Sequence, residues 1–169
     1  MHTLLTRVMA LEAHFRRIPH TVIAFIARFS LAAVFWQSGQ SKIEGLAINI
    51  VNGEWLLGWP RLGENTIALF AEEYRLPLLS PELAAYLATV GEHVLPILLL
   101  LGLFTRWAAL GLLGMTLVIQ LLVYPNAWMV HGLWATGLLY LMVNGPGCAS
   151  VDAWLRRGLP RPAPNTPRA

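Results

Sequence analysis

Residues 83–104 read LAAYLATVGEHVLPILLLLGLF, and residues 107–124 read WAALGLLGMTLVIQLLVY, with Thr105-Arg106 between them. A helix of about 20 apolar residues crosses the roughly 30 Å hydrocarbon core of a bilayer. The second stretch carries no charge at all. Strands of a membrane barrel would alternate in polarity at every residue, and a soluble helix would keep a polar outer face. Neither pattern appears, so both stretches predict membrane helices. Two more have the same character: 21–42 (TVIAFIARFSLAAVFWQSGQSK), interrupted by Arg28, and 127–143 (AWMVHGLWATGLLYLMV), which holds His131.

Composition agrees. Of 169 residues, 56% are hydrophobic and 12% charged, against about 25% charged in an ordinary soluble domain. The mean hydropathy is +0.57. Disorder is excluded, since it needs low hydrophobicity and high charge. The single cysteine, Cys148, excludes a disulfide framework, a C-x-x-C redox pair and a cysteine zinc site. The pI is near 9.5, but no dense basic run interleaved with aromatics suggests nucleic acid.

The charges instead suggest orientation. Arg7, Arg16, Arg17, Arg106, Arg156, Arg157, Arg161 and Arg168 fall on one side of four spans. Glu44, Glu54, Glu64, Glu72, Glu73 and Glu82 fall on the other, against Lys42, Arg61 and Arg75. The positive-inside rule then places both termini in the cytoplasm. The expected fold is all-α: an integral membrane four-helix bundle, N-in and C-in, over residues 20–157. Its outer loop, 43–81, contains a short helix with Ile67, Phe70, Ala71 and Tyr74 on one apolar face. Residues 1–19 are expected to form an amphipathic helix on the inner leaflet, with Leu4, Val8, Leu11, Phe15 and Ile18 as its stripe. Residues 158–169 read as a disordered tail. Ser80-Pro81 should open the second span as N-cap and first-turn proline. Gly145-Pro146-Gly147 should close the fourth, and Gly111, Gly114, Gly132 and Gly137 should allow close helix contact.

Ionisable groups at membrane depth are costly, usually face the protein interior and pair. By a rise of about 1.5 Å per residue, Arg28 lies roughly 10 Å from one surface and Glu92 roughly 14 Å from the other. An extended arginine could bridge that difference, so an Arg28–Glu92 pair is expected, either as a helix-register device or as catalytic groups with Glu92 relaying protons. His131 lies roughly 6 Å below the outer surface, level with Gln120 and Gln37. With His93 and Trp134 these residues could line an outward polar cavity. Such a cavity suits a quinone head group; haem or a metal ion is a weaker fit, and each histidine could instead simply cap a carbonyl or meet water. Glu92 and His93 point about 100° apart on a helix, so they cannot both face one small site. Pro96 removes the helical partner of the Glu92 carbonyl.

The ordered pieces Arg28, Phe35-Trp36-Gln37-Ser38-Gly39, Ser41-Lys42-Ile43, Glu72-Glu73-Tyr74-Arg75-Leu76-Pro77, Glu92, LLLLGLFTRWAAL (98–110), His131, Trp134 and Gly145-Pro146-Gly147 with Ser150-x-Asp152 resemble the DoxX family of bacterial four-helix membrane proteins. The resemblance covers about residues 20–157 and implies four spans of the inner membrane with both ends inside. DoxX-like proteins are similar to a subunit of thiosulfate:quinone oxidoreductase, which implies a redox-associated subunit. The E-E-Y-x-L-P form looks like members encoded beside enzymes that make modified, metal-binding peptides. That implies a non-enzymatic partner or transport component in copper or oxidative stress handling as the alternative. The expected partners are the bilayer and a membrane or periplasmic redox or metal-peptide protein, with self-association open. Cys148 stands where relatives often carry leucine or a similar residue.

Overall fold

The computed structural model describes residues 17–49 and 53–158, together with Arg7, Met9, Glu12, His14 and Phe15. Most of the expected N-terminal stripe, including Leu4, Val8 and Leu11, and all of the tail beyond Gly158 lie outside the described residues.

The chain is mostly helical, in the order α1 (His20–Gln40), β1 (Ile43–Asn49), β2 (Glu54–Leu62), α2 (Glu64–Leu69), α3 (Pro81–Leu101), α4 (Thr105–Val118), α5 (Trp128–Asn144) and α6 (Val151–Arg157). Single π-helical turns extend α2 through Phe70–Tyr74 and α4 through Ile119–Val123. Among the described residues, three helices are long and apolar enough to cross a membrane: His20–Gln40, Pro81–Leu101 and Thr105–Val123. α5, at 17 residues, is shorter. α1 packs on α3, α3 on α4, α4 on α5 and α5 on α1. Their shared core is Ala24, Leu31, Phe35, Leu99, Leu112, Leu138 and Leu141. Phe25, Phe29, Leu87, Leu121, Leu133 and Val143 are exposed on the outside, a surface that lipid covers at no cost and water would not.

Local chemistry sets the helix ends. The Ser80 hydroxyl accepts from Leu83 N–H at 3.3 Å, and Pro81 occupies the first helical position. Gly102, at φ +70, stops α3; Leu103 N–H then reaches Leu98 O at 2.9 Å and Gly102 N–H reaches Leu99 O at 3.1 Å, a Schellman closure. The expected span to 104 therefore ends early, and the link to α4 is Gly102–Phe104 rather than Thr105-Arg106. α4 begins at Thr105 because a distant carboxylate caps it. Asp152 accepts from Phe104 N–H, Thr105 N–H and the Thr105 hydroxyl at 2.9, 3.0 and 2.9 Å. Of the four expected contact glycines, a Cβ on Gly111 or Gly137 would press on Leu95 or Leu31, but one on Gly114 or Gly132 would meet nothing within 4 Å.

The all-α expectation fails in the long loop, where β1 and β2 pair as an antiparallel hairpin. The register slips between Glu44 and Leu46, at Gly45, whose φ is +85. Residues 64–74 do form the expected short helix, but its inward stripe is Thr66 and Phe70, both buried, with a half-buried Tyr74, while Ile67 and Ala71 face out. Phe70 packs with Ala84 and Ala85 of α3 as a second, smaller core.

Two ends follow from these contacts. The start of α1, the end of α3, the start of α4 and the 145–152 segment gather at one, the termini end. The hairpin, α2, the start of α3 and the end of α4 gather at the other, the hairpin end.

Candidate functional site

At the hairpin end, Gly39 lets α1 approach α3 closely: a Cβ there would lie 2.8 Å from His93 and 3.1 Å from Glu92. Glu92 therefore faces the last turn of α1. Its Oε2 meets Lys42 Nζ at 2.7 Å, with both side chains almost wholly buried. Its Oε1 accepts from the Ser38 hydroxyl at 3.0 Å. Lys42 Nζ also donates to Ser38 O and Oγ at 3.1 and 3.0 Å. The cation is thus held by one carboxylate and one serine, and the carboxylate by one cation and one hydroxyl.

This corrects the expected Arg28–Glu92 pair. Arg28 sits level with Leu99 and Leu100, about 11 Å along α3 from Glu92 at 1.5 Å per residue. Its guanidinium donates to the carbonyls of Leu99, Leu100, Pro146 and Ala149 at 2.8–3.0 Å. The Leu99 carbonyl is shared with Gly102 N–H at the end of α3, Pro146 and Ala149 belong to the turn after α5, and all four carbonyls lie closer to Arg28 than any carboxylate oxygen of Glu92. A Cβ on Gly102 would fall 2.9 Å from the same guanidinium, so only glycine fits beside it.

His93 points away from Glu92, as their angular separation requires. Gln40 Oε1 accepts from Ile48 N–H at 2.7 Å, so its amide nitrogen is the donor to His93 Nε2 at 3.0 Å. His93 Nδ1 then donates to Thr89 O at 2.7 Å. Trp36 lies edge-on to that ring at 5.1 Å.

His131 and Gln120 do meet. Gln120 donates to Pro125 O at 2.6 Å, so its carbonyl oxygen accepts from His131 Nδ1 at 2.8 Å. Trp134 lies 5.0 Å from the His131 ring. The single cavity expected among His131, Gln120, Gln37, His93 and Trp134 is not formed. His93 and His131 belong to separate hydrogen-bond groups, and Gln37 is exposed on a groove under the hairpin with Gln40, Glu44, Asn49 and Glu54. Among the described residues, no three His, Cys, Asp or Glu side chains gather as a metal site.

The hollow near the charges lies elsewhere. A cavity of about 320 Å³ opens between α3, α4 and the π turn after α2, lined by Phe70, Tyr74, Leu87, Glu92, Gly114 and Met115 among others. Its walls are apolar apart from Glu92 and the Tyr74 hydroxyl. Leu87, Gly114 and Val118 at its rim are exposed on the helix flanks. Tyr74 stands edge-on to Tyr124 at 6.1 Å, and the Tyr124 hydroxyl donates to Glu73. Burial, with the charges of Glu92 and Glu73 behind it, pushes the Tyr74 phenol above its ordinary value. Lys42 and Ser38 are the members that sequence reasoning missed. Their i, i+4 spacing at the end of an apolar run was the available signal.

A family model described as DoxX matches residues 23–125, more than half of the 169. The chain belongs to the DoxX family. No curated protein and no solved structure matches it. The DoxX match and the three apolar helices mark a membrane-embedded protein. The DoxX match takes in Ser38, Lys42, Tyr74, Glu92 and Gly114, and ends before His131 and Trp134.

Proposed function

We propose that this DoxX protein is a four-span protein of the bacterial inner membrane with both termini in the cytoplasm, and that the cavity beside Glu92 binds the ring of a lipid-soluble quinone as part of a redox-associated complex. α5 would supply the fourth span, and the termini end, with Arg106, Arg156 and Arg157, would face the cytoplasm under the positive-inside rule. The observation that carries the ligand reading is the cavity: about 320 Å³, apolar, with one carboxylate in its wall. Small-molecule sites are of this size and have this lining.

The residues present fit such a group. Phe70, Leu87 and Met115 would hold a ring, and the exposed rim would admit it from the acyl chains rather than from water. The Tyr74 hydroxyl would donate to a carbonyl oxygen. A bound quinone would supply two-electron, two-proton redox chemistry. Glu92, already paired with Lys42 and Ser38, would stand in the cavity wall as the carboxylate nearest the ligand. His131 suits this role less well. Its Nδ1 proton is spent on Gln120, and it is not in the cavity wall.

The test is lipid extraction from protein purified in mild detergent, followed by quinone analysis, with thermal unfolding measured with and without added quinone. A co-purifying quinone and a raised melting temperature are expected. The absence of both a bound quinone and any stabilisation would overturn the reading.

A further inference from the structure

The strand β2 carries large apolar side chains with almost nothing over them. Trp55, Leu57 and Trp59 are 62%, 80% and 90% exposed. Alternation along a strand puts all three on one face. Arg61 follows on that face, its side chain 76% exposed and only 3.6 Å from Glu44 as its nearest carboxylate. In β1, Leu46 and Ile48 stand opposite Leu57 and Trp55. The strand departs from the chain's expected loop chemistry, and in water a two-stranded ribbon of this composition would be marginal.

Its position is fixed. β1 starts three residues after the last residue of α1. Both backbone groups of Ile48 are gripped by the final turns of that helix: its N–H by Gln40 at 2.7 Å and its C=O by Trp36 at 2.9 Å. The hairpin is therefore held at the end of a membrane-length helix, where hydrocarbon gives way to head groups. Tryptophan prefers that layer, and arginine reaches from it to phosphate.

We propose that the β1–β2 hairpin is an interfacial anchor: Trp55, Leu57 and Trp59 rest among the head groups and first acyl carbons of the leaflet from which α1 emerges, and Arg61 meets lipid phosphate. The other face, with Asn49 and Glu54, stays over the polar groove that it shares with Gln37 and Gln40. The occupant is lipid, whatever the cavity binds.

The full chain, with Cys148→Ser and Leu57→Cys, is labelled at residue 57 with an environment-sensitive fluorophore. It is then reconstituted in phosphatidylcholine–phosphatidylglycerol vesicles. The expected label emission is blue-shifted, quenched by lipids carrying a nitroxide near the head group, and little affected by aqueous iodide. Water-like emission quenched by iodide would overturn the proposal. Shielding from both quenchers would overturn it too, because the face would then be covered by protein, a second copy included. In the unlabelled chain, Trp55→Phe with Trp59→Phe is expected to lower the tryptophan emission quenched by shallow brominated lipid, the remainder coming from the likewise exposed Trp107, Trp128 and Trp154. An unchanged quenched fraction would also overturn it.

Discussion

The two ends of the helical core both bury charge, and they surround it differently. At the termini end, Arg28 meets four carbonyl oxygens and a close glycine turn. At the hairpin end, Glu92 and Lys42 satisfy each other, and the carboxylate borders a cavity of about 320 Å³. A charge closed in by backbone can hold helices in place but cannot reach another molecule. A charge beside a hollow can do both. The contrast moves the chemical expectation from Arg28 to Glu92.

The largest effect should come from Arg28→Leu, which takes a donor from the carbonyls of Leu99, Leu100, Pro146 and Ala149 across the seam between the α3 end and the turn after α5. A loss of about 3–5 kcal/mol is expected, read as a collapse of the melting temperature in detergent. Arg28→Lys should rescue little, because one ammonium cannot span the α3 end and the 146–149 turn. A mild effect would break the comparison at its structural end.

Next is the ion pair. Glu92→Gln strands Lys42 in the interior and should cost about 3 kcal/mol. Adding Lys42→Met removes the stranded charge, so the double variant should regain most of that stability. Its quinone-dependent shift in melting temperature should stay absent. If stability and quinone response return together, the pair is only structural.

Gly114→Leu sharpens the contrast further. Nothing lies within 4 Å of a Cβ at Gly114, and the residue lines the cavity. Removing a helix-interior glycine should leave stability unchanged or raise it by up to about 1 kcal/mol. The filled cavity should abolish the quinone-induced shift.

The smallest effect is at Tyr74. Its phenol is held neutral above the ordinary tyrosine value of 10.0 by burial first and then by Glu92 and Glu73. A group raised in the folded state contributes stability below its unfolded value and loses it as pH climbs through the folded one. The packing of α2 on α3 should therefore weaken only in strongly alkaline solution. In a phenolate absorbance titration, Glu92→Gln should shift one tyrosine to lower pH, and Tyr74→Phe should remove that tyrosine.

Length and hydropathy made the three long helices legible, and Ser80-Pro81 and Gly145-Pro146-Gly147 marked real ends. The hairpin was legible too, in Asn52-Gly53 between apolar runs, but a membrane-helix reading left no place for strands. Lys42, at the very end of the first expected span, was counted only as an outward charge; it stands two residues beyond α1. Its side chain turns back into the core, which linear depth cannot show. The same arithmetic paired Arg28 with Glu92 because it ranked charges by level and ignored carbonyls, and every helix end supplies those. Gln120 with His131 was found because both fell at one depth on adjacent helices.

The cap that Asp152 places on α4 has a consequence for biosynthesis. The first turn of that helix finds its acceptor 47 residues downstream, and Arg28 draws on Pro146 and Ala149. A ribosome that has emitted α1 through α5 has therefore not yet delivered the residues that fasten them. The nascent protein waits for its last short helix before the seam can close, and a chain cut before Asp152 would leave the membrane translocation machinery with its helices unfastened.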